Sequence, residues 1–177
     1  MVKNKIAVSC SMPIRSYQMY AYPLAVIFNK KEEAVNWCFS NFINVRLTRN
    51  EYIVDVRYTE PRYEKCHFFK ERIISQSLFT DNLLGDIKEF IINCIDSQDA
   101  VSVFVDEFYI NHRVRYKKEH KAHQIMVTGY DKVNKIFHVL GYNEYRKYSE
   151  TTTLMDDFVC GVKKCPMISD LSEYLKV

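Results

Sequence analysis

The clearest alternation of apolar and polar positions lies in the second half of the chain and predicts a β-hairpin. Two apolar runs, residues 125–129 and 136–141, are joined by "YDKVNK", whose polar composition and length suit a turn between antiparallel strands. Val101, Val103 and Val105 recur at every second position before them, as in a further strand. We therefore predict an antiparallel sheet in this half.

Helical spacing of apolar residues dominates the first half. The segments "SYQMYAYPLAVIF" and "KKEEAVNWCFSNFINV" read as helices, the second with Cys38 on its apolar face, and a third apolar stripe runs from Leu84 to Ile95. Short strands are predicted at "KIAVS" and "EYIVDVRY", and two last helices at "TTLMDDFVCGV" and "SDLSEYLKV". The pattern indicates an α+β domain in which helices of the N-terminal half pack on an antiparallel sheet from the C-terminal half.

Composition and charge favour a single globular domain over a nucleic-acid-binding or membrane-spanning protein. With 177 residues, 47% of them hydrophobic, the chain is long enough for one domain with a core of its own, and we predict a single domain over residues 1–177. A net charge of +3 with interleaved signs does not indicate nucleic-acid binding. No apolar run approaches the roughly 18 to 20 residues of a membrane span, and the start does not resemble a signal peptide, so we expect a cytoplasmic protein that binds no membrane.

The cysteines do not predict a metal site. Four of the six, at positions 10, 38, 66 and 94, are spaced by 28 residues, but their neighbours share no pattern and so do not form a repeat. Cys160 and Cys165 form a C-x4-C pair without a second pair to complete a zinc site. His120 and His123 likewise lack further ligands that the sequence would place beside them. We expect free thiols and no metal.

His123 is the first residue of the predicted hairpin and a candidate general base. Because antiparallel strands pair end to start, the end of the second strand returns beside it. Asn143 lies there and could hold the imidazole in one orientation and tautomer. The alternative is that His123 has no catalytic role, stands at the start of the strand and forms a hydrogen bond with a neighbouring carbonyl group.

Several segments resemble papain-like proteins. "HQIMVTGYDKVNKIFHVLGYNE" resembles the second half of papain-like cysteine peptidases of the double-glycine-leader type. "NKKEEAVNWCFSNFINVRL" and "VDEFYINHRVRYKKEHKAHQIMVTGYD" resemble small proteins of bacterial nonribosomal peptide and polyketide gene clusters. Those are similar to the N-terminal domain of butirosin biosynthesis protein H, which moves an aminoacyl group from a carrier-protein thioester to an amine. Together these segments cover most of the chain beyond residue 20.

The resemblance implies a papain-like fold with His123 as the general base. It also exposes two departures. Gly141 stands where the family has its acidic third member, which leaves Asn143 as the substitute. The family's nucleophilic cysteine belongs at the start of the first long helix, but "QMYAYPLAVIF" contains none.

We therefore expect an acyl or peptidyl transferase that passes a carrier-bound thioester to an amine or to water. In one version Cys38 attacks the thioester, although its mid-helix position disfavours a reactive thiolate, and Cys10 is a weaker candidate. In the other version His123 alone deprotonates the amine. A catalytically degenerate protein that binds a synthetase or carrier protein is the alternative, and a cysteine protease is the weakest reading because proteolysis needs a full triad.

The basic segment "HRVRYKKEHK" supplies the predicted docking residues. Arg113, Arg115, Lys117 and Lys118 could meet the phosphate of a pantetheine arm or an acidic helix of an acyl or peptidyl carrier protein. We expect no cofactor of the protein's own, since the phosphopantetheine would belong to the substrate.

Overall fold

The protein has a mixed α+β fold, known from a computed structural model that describes residues 1–29, 32–41, 45–49, 54–58, 66, 69–80, 85–166 and 174–176. The strands are β1 Lys3–Lys5, β2 Val45–Arg49, β3 Val54–Tyr58, β4 Ile73–Ser75, β5 Val101–Asp106, β6 Ala122–Asp131, β7 Ile136–Tyr142, β8 Tyr148–Leu154 and β9 Tyr174–Lys176. The α-helices are α1 Gln18–Ile27, α2 Glu32–Asn41, α3 Ser77–Thr80, α4 Ile87–Asp96 and α5 Met155–Lys163. A 3₁₀ turn, Glu107–Tyr109, follows β5 directly.

One large antiparallel sheet organises the fold. Its strands lie in the order β4-β9-β5-β6-β7-β8, and β1 pairs with the end of β6. The predicted hairpin is confirmed as β6 and β7, with Met126 opposite Leu140 and Asp131 opposite Ile136. Of the strand predicted in "EYIVDVRY", residues 54–58 are confirmed as β3, which pairs with β2 in a separate two-stranded sheet, and residues 51–53 lie outside the described residues.

Helices cover both faces of the sheet. On one face α4 and α5 pack on Val103, Val127 and Val139. On the other face α1 packs on Met126 and Leu140, together with Cys38 of α2. The α+β class is confirmed, but the expected arrangement was too simple, because the C-terminal helix α5 shares a face with α4 instead of leaving the helical layer to the N-terminal half.

Gly129 allows the first strand to reach the sheet. A Cβ atom at this position would lie 2.8 Å from the carbonyl oxygen of Asn4, closer than real Cβ contacts come. Lys5 stands opposite Gly129 in the β1–β6 pair, and the next residue, Ile6, donates its N–H to the oxygen of Thr128 at 2.7 Å. The glycine of "TGYD" therefore reflects close packing of two backbones.

Three local predictions need correction. The first strand is Lys3–Lys5, earlier than the predicted "KIAVS". Residues 151–154 belong to β8, so the helix predicted at "TTLMDDFVCGV" begins only at Met155. In the C-terminal segment predicted as a helix, residues 174–176 form β9, which pairs with β4 and meets β5 at Ser102, so tertiary pairing overrides the local pattern there.

Candidate functional site

His123 lies near one end of the sheet, on β6, where it stands opposite Val105 of β5. Its side chain is 38% exposed, and its ring nitrogen Nδ1 lies 3.1 Å from Oε1 of Glu107. Glu107 opens the 3₁₀ turn directly after β5, so the pairing of β5 with β6 brings its carboxylate to the imidazole. A histidine–carboxylate pair thus forms at the end of two neighbouring strands.

Glu107 is a buried carboxylate held by cations. Its side chain is only 6% exposed, and its Oε2 accepts a hydrogen bond from Nη1 of Arg115 at 3.2 Å. Burial by itself raises the pKa of Glu107, but the contact and charge of His123, the hydrogen bond from Arg115 and the charge of Arg113 outweigh it and leave the pKa below its usual value. Glu107 is therefore ionised at neutral pH.

The ionised carboxylate decides which ring nitrogen of His123 carries the proton. An unprotonated Nδ1 would face Glu107 with two acceptor atoms in contact, which is repulsive, so Nδ1 carries the hydrogen and Nε2 keeps the lone pair. In this tautomer the carboxylate also stabilises the imidazolium that forms when Nε2 takes a proton. The pair has the arrangement of a general base.

The N-terminus of α1 lies beside this pair. Nε2 of Gln18, the first residue of α1, is 3.2 Å from Nδ1 of His123 and donates to the oxygen of Gln124 at 2.8 Å. Because Nδ1 already carries a hydrogen for Glu107, we interpret the Gln18–His123 approach as packing rather than as a hydrogen bond. Tyr17 precedes the helix without a side-chain cap, and Gln18 and Met19 lack intrahelical acceptors for their N–H groups by position.

A groove begins at the same glutamine. Between α1 and the strands β5 and β6 lies a cavity of about 130 Å³. Its apolar lining includes Pro23, Val26 and Met126, and Gln18 and Gln124 form its polar end next to His123. The side chain of Gln18 therefore separates the groove from the imidazole.

Cys38 is a buried thiol on α2. The thiol is in the middle of α2, 1% exposed, among the residues that pack on α1. Burial, with a smaller contribution from Cys66, raises the pKa of Cys38 to about 11, so the thiol is neutral at pH 7. In the described part of the chain, the polar side chains that meet the His123 ring are Gln18 and Glu107, and Cys38 is not among them.

Asn143 is engaged in its own turn. Its side-chain oxygen accepts the N–H groups of Tyr145 and Lys147 at 2.9 and 3.0 Å, and its amide donates to Oγ of Ser149 at 3.0 Å. The expected orienting contact to His123 is made by Glu107 instead. The physical reason is that an amide directly after the end of a strand satisfies nearby backbone groups first.

The four predicted docking residues separate into three groups. Lys117 and Lys118 are exposed, as expected. Arg115 is paired with Glu107 and Glu119, the latter at 3.0 Å. Arg113 is 4% exposed and therefore does not lie on a docking surface.

Arg113 instead fills space left by Gly141. Its Nη1 donates to the oxygen of Tyr142. A Cβ atom on Gly141, whose φ of +154° side chains rarely adopt, would lie 3.0 Å from that nitrogen and 3.1 Å from the hydroxyl of Tyr22. The position where the resemblance implied an acid is thus occupied by a guanidinium, and the carboxylate near the histidine comes from the turn after β5.

Glu107 and Gln18 were not predicted from the sequence. Glu107 had one available signal, since it directly follows a strand that we expected in the same sheet as His123, and ends of strands often carry functional residues. Gln18 stands at the helix start where the resemblance implied a cysteine, so its position was identified but its role was not.

A second histidine–carboxylate pair lies close by. Nδ1 of His120 is 2.6 Å from Oδ2 of Asp106, whose side chain is 1% exposed. The other oxygen, Oδ1, accepts the N–H groups of Phe108 and Lys121 at 3.1 and 3.0 Å. The ring of His120 is 57% exposed and stacks on Phe108 with centroids 4.1 Å apart.

Two further properties bear on the site. Within the described ranges, no three or more His, Cys, Asp or Glu side chains are grouped to hold a metal ion. No helix among the described residues is both long and apolar enough to cross a membrane.

Comparisons with known proteins assign no family to the chain, so a function has to be inferred from the geometry of the site. No protein-family model, no curated protein and no solved structure matches the chain.

Proposed function

We propose that this protein is a papain-like acyl or peptidyl transferase that passes an acyl group directly from a carrier-bound thioester to an amine, with His123 as the general base. The observation that carries the proposal is the pair of His123 and the buried, ionised Glu107, because it leaves Nε2 of the imidazole basic and stabilises the imidazolium.

The reaction needs one addition and one elimination. The amine nitrogen attacks the thioester carbonyl while Nε2 of His123 takes a proton from that nitrogen. The tetrahedral intermediate collapses, the carbon–sulfur bond breaks, and the thiolate of the carrier's pantetheine arm leaves and receives the proton from the imidazolium. The products are an amide and the free carrier thiol; water in place of the amine gives an acid.

The start of α1 supplies a place for the developing oxyanion. The first N–H groups of a helix favour negative charge, and Gln18 places this helix start beside His123. The same meeting of a helix start with a histidine on an antiparallel strand is what a papain-like fold would provide, which supports that finer description of the fold.

The properties of the Cys38 thiol favour direct attack by the amine over a covalent enzyme intermediate. Cys38 is buried and its pKa is raised to about 11, so a thiolate there would be rare at neutral pH. Thioesters are activated enough for an amine to attack without a covalent enzyme intermediate. We therefore assign no step to Cys38.

The proposed partner is an acyl or peptidyl carrier protein, alone or within a synthetase. Lys117 and Lys118 are exposed on the basic segment that precedes His123 in the chain, and they suit an acidic carrier surface or the phosphate of the pantetheine arm. Arg113 is buried and is therefore not part of this surface.

A specific observation favours a second candidate, a catalytically degenerate papain-like protein that binds a carrier protein or synthetase. Gln18 stands at the helix start where the resemblance implies the nucleophile, and an amide cannot replace a thiolate. In that case the exposed lysines would serve binding, while His123 and Glu107 would serve only to hold the fold.

The two candidates are separated by incubating the protein with an acyl thioester on a carrier protein and an amine, and following amide formation by mass spectrometry. We expect turnover without a covalent protein adduct, lost in His123→Ala and reduced in Glu107→Gln. Cys38→Ala is the matched control and should turn over like the wild type.

Each other outcome has a clear meaning. A covalent adduct that disappears in Cys38→Ala would overturn the direct route in favour of the cysteine route. Binding of the carrier protein without any turnover by the wild type would establish the degenerate candidate instead.

A further inference from the structure

The groove between α1 and the strands β5 and β6 contains a buried polar atom, the hydroxyl oxygen of Ser102. Oγ of Ser102 has no hydrogen-bond partner among the described residues, although Ser102 is only 6% exposed and lines the groove. A buried hydroxyl without a partner is unusual and costs stability. A ligand that brings a polar atom to Ser102 would remove this cost.

The walls and the mouth of the groove restrict what can enter. Pro23, Val26, Ala100 and Met126 form apolar walls around Ser102. Charged side chains, Lys70, Glu71 and Asp99, also border the groove. Such a site suits an apolar chain that carries a single hydrogen-bonding group.

The size of the groove limits the length of that chain. A cavity of about 150 Å³ is known to hold benzene, with its six non-hydrogen atoms, so a cavity of about 130 Å³ holds about five such atoms. A butanoyl group is close to this size, whereas an acetyl group leaves part of the groove empty and an octanoyl group exceeds it.

The groove ends at the proposed reaction centre. Gln18 lines the groove and its Nε2 lies 3.2 Å from the ring of His123, and Gln124, the neighbour of His123 on β6, lines it as well. We propose that this groove binds the acyl chain of the donor: a short apolar acyl group, about the length of butanoyl, with one hydrogen-bonding group that meets Ser102. This inference rests on the proposed transferase function for the identity of the chain as an acyl donor.

The test uses an uncleavable probe, so that binding is measured without turnover. The acyl amides of N-acetylethylenediamine mimic a thioester to a pantetheine arm, and their affinities are measured by calorimetry with the full chain. We expect the butanoyl amide to bind at least about tenfold more tightly than the acetyl and octanoyl amides, a difference of about 1.4 kcal/mol. Equal affinities across the series would overturn the proposal.

Two variants locate the binding site. Val26 is half-buried on α1, so Val26→Glu should fold and should lose the butanoyl preference by placing a charge in the groove. Ser102→Ala should keep the butanoyl affinity but lose any gain that a hydroxylated butanoyl amide shows over the plain one. If Val26→Glu melts like the wild type and still prefers butanoyl, the chain binds elsewhere and the proposal is wrong.

The probe cannot be cleaved, so its binding to the wild type separates this inference from the proposed function. Chain-length selective binding by a protein that never turns over a thioester would refute the transferase and leave the acyl groove standing. Turnover that ignores chain length would refute the groove alone.

Discussion

The two histidine–carboxylate pairs at the end of β5 use the same chemistry in different surroundings. His123 and His120 each place Nδ1 against a buried carboxylate, supplied by the consecutive residues Glu107 and Asp106. Asp106 also accepts two backbone N–H groups, and His120 stacks on Phe108 with more than half of its side chain exposed. The second pair therefore fixes the loop to the strand end.

The first pair differs by what lies next to it. Glu107 is held by the guanidinium of Arg115 rather than by backbone groups, and the imidazole of His123 faces the start of α1 and the end of a groove. A carboxylate that orients an imidazole is thus common to a structural and a candidate catalytic role. The neighbouring helix start and groove distinguish the two.

The largest expected effect is on the rate of acyl transfer, in which the two histidines should differ. We expect His123→Ala to lower the rate of amide formation by about 10²–10⁴-fold, the usual contribution of a general base. His120→Ala should stay within about twofold of the wild type, because that ring serves the loop. Single-turnover kinetics with a carrier-bound thioester measure both variants, and equal losses would contradict the assignment of roles.

The free energy of unfolding should rank the two pairs in the opposite order, with the larger loss when the pair of Asp106 and His120 is broken. Asp106→Ala leaves the N–H groups of Phe108 and Lys121 and the ring of His120 without their acceptor, at a cost of about 3 kcal/mol. Glu107→Ala should cost about 1–2 kcal/mol, since Arg115 and His123 are partly exposed and can turn to water. Urea unfolding of both variants gives the comparison, and a larger loss for Glu107→Ala would reverse it.

Low pH should lower the free energy of unfolding in part by protonating Glu107 of the first pair. Because the pKa of this carboxyl is lower in the folded than in the unfolded protein, the unfolded state binds more protons between the two values. The stabilisation is complete above the unfolded value of about 4.3 and is lost as the pH falls through the folded pKa. Urea midpoints measured from pH 7 down to pH 3 should therefore fall less steeply in Glu107→Gln; identical slopes would argue against an ionised Glu107.

The smallest expected effect concerns access to the rings. Diethyl pyrocarbonate should modify His120 a few-fold faster than His123, because the side chains are 57% and 38% exposed. Gln18→Ala removes the side chain that packs on His123 and should speed modification of that ring alone. Peptide mass spectrometry at short reaction times measures both rates, and a Gln18→Ala variant unchanged at His123 would mean that Gln18 does not shield the ring.

Much of the fold follows from local patterns in the sequence. The β6–β7 hairpin combines two apolar runs with a polar turn, and α4 combines one apolar stripe with an Asp86 cap on the N–H of Lys88. Such elements are encoded by neighbouring residues. The polar strand β8 and the short strand β9 are not, since their pairing depends on β7, on β4 and on β5.

The site was predicted only in part for the same reason. His123 could be located because the hairpin itself places it, and Asn143 was a reasonable partner by register alone. Its side chain is engaged by backbone groups of its own turn, a competition that a strand pattern does not reveal. Glu107 depends on the pairing of β5 with β6, and the burial of Arg113 depends on the absence of a side chain at Gly141.

The position of Gln18 also matters for how this chain could acquire a new activity. A thiol in place of its amide would stand at the first turn of α1, where the helix dipole favours a thiolate, on the side of the His123 ring where Nδ1 meets Glu107. Gln18→Cys would therefore test whether one substitution installs a reactive thiol at this helix start. A single side chain thus separates the direct chemistry of this chain from a covalent one.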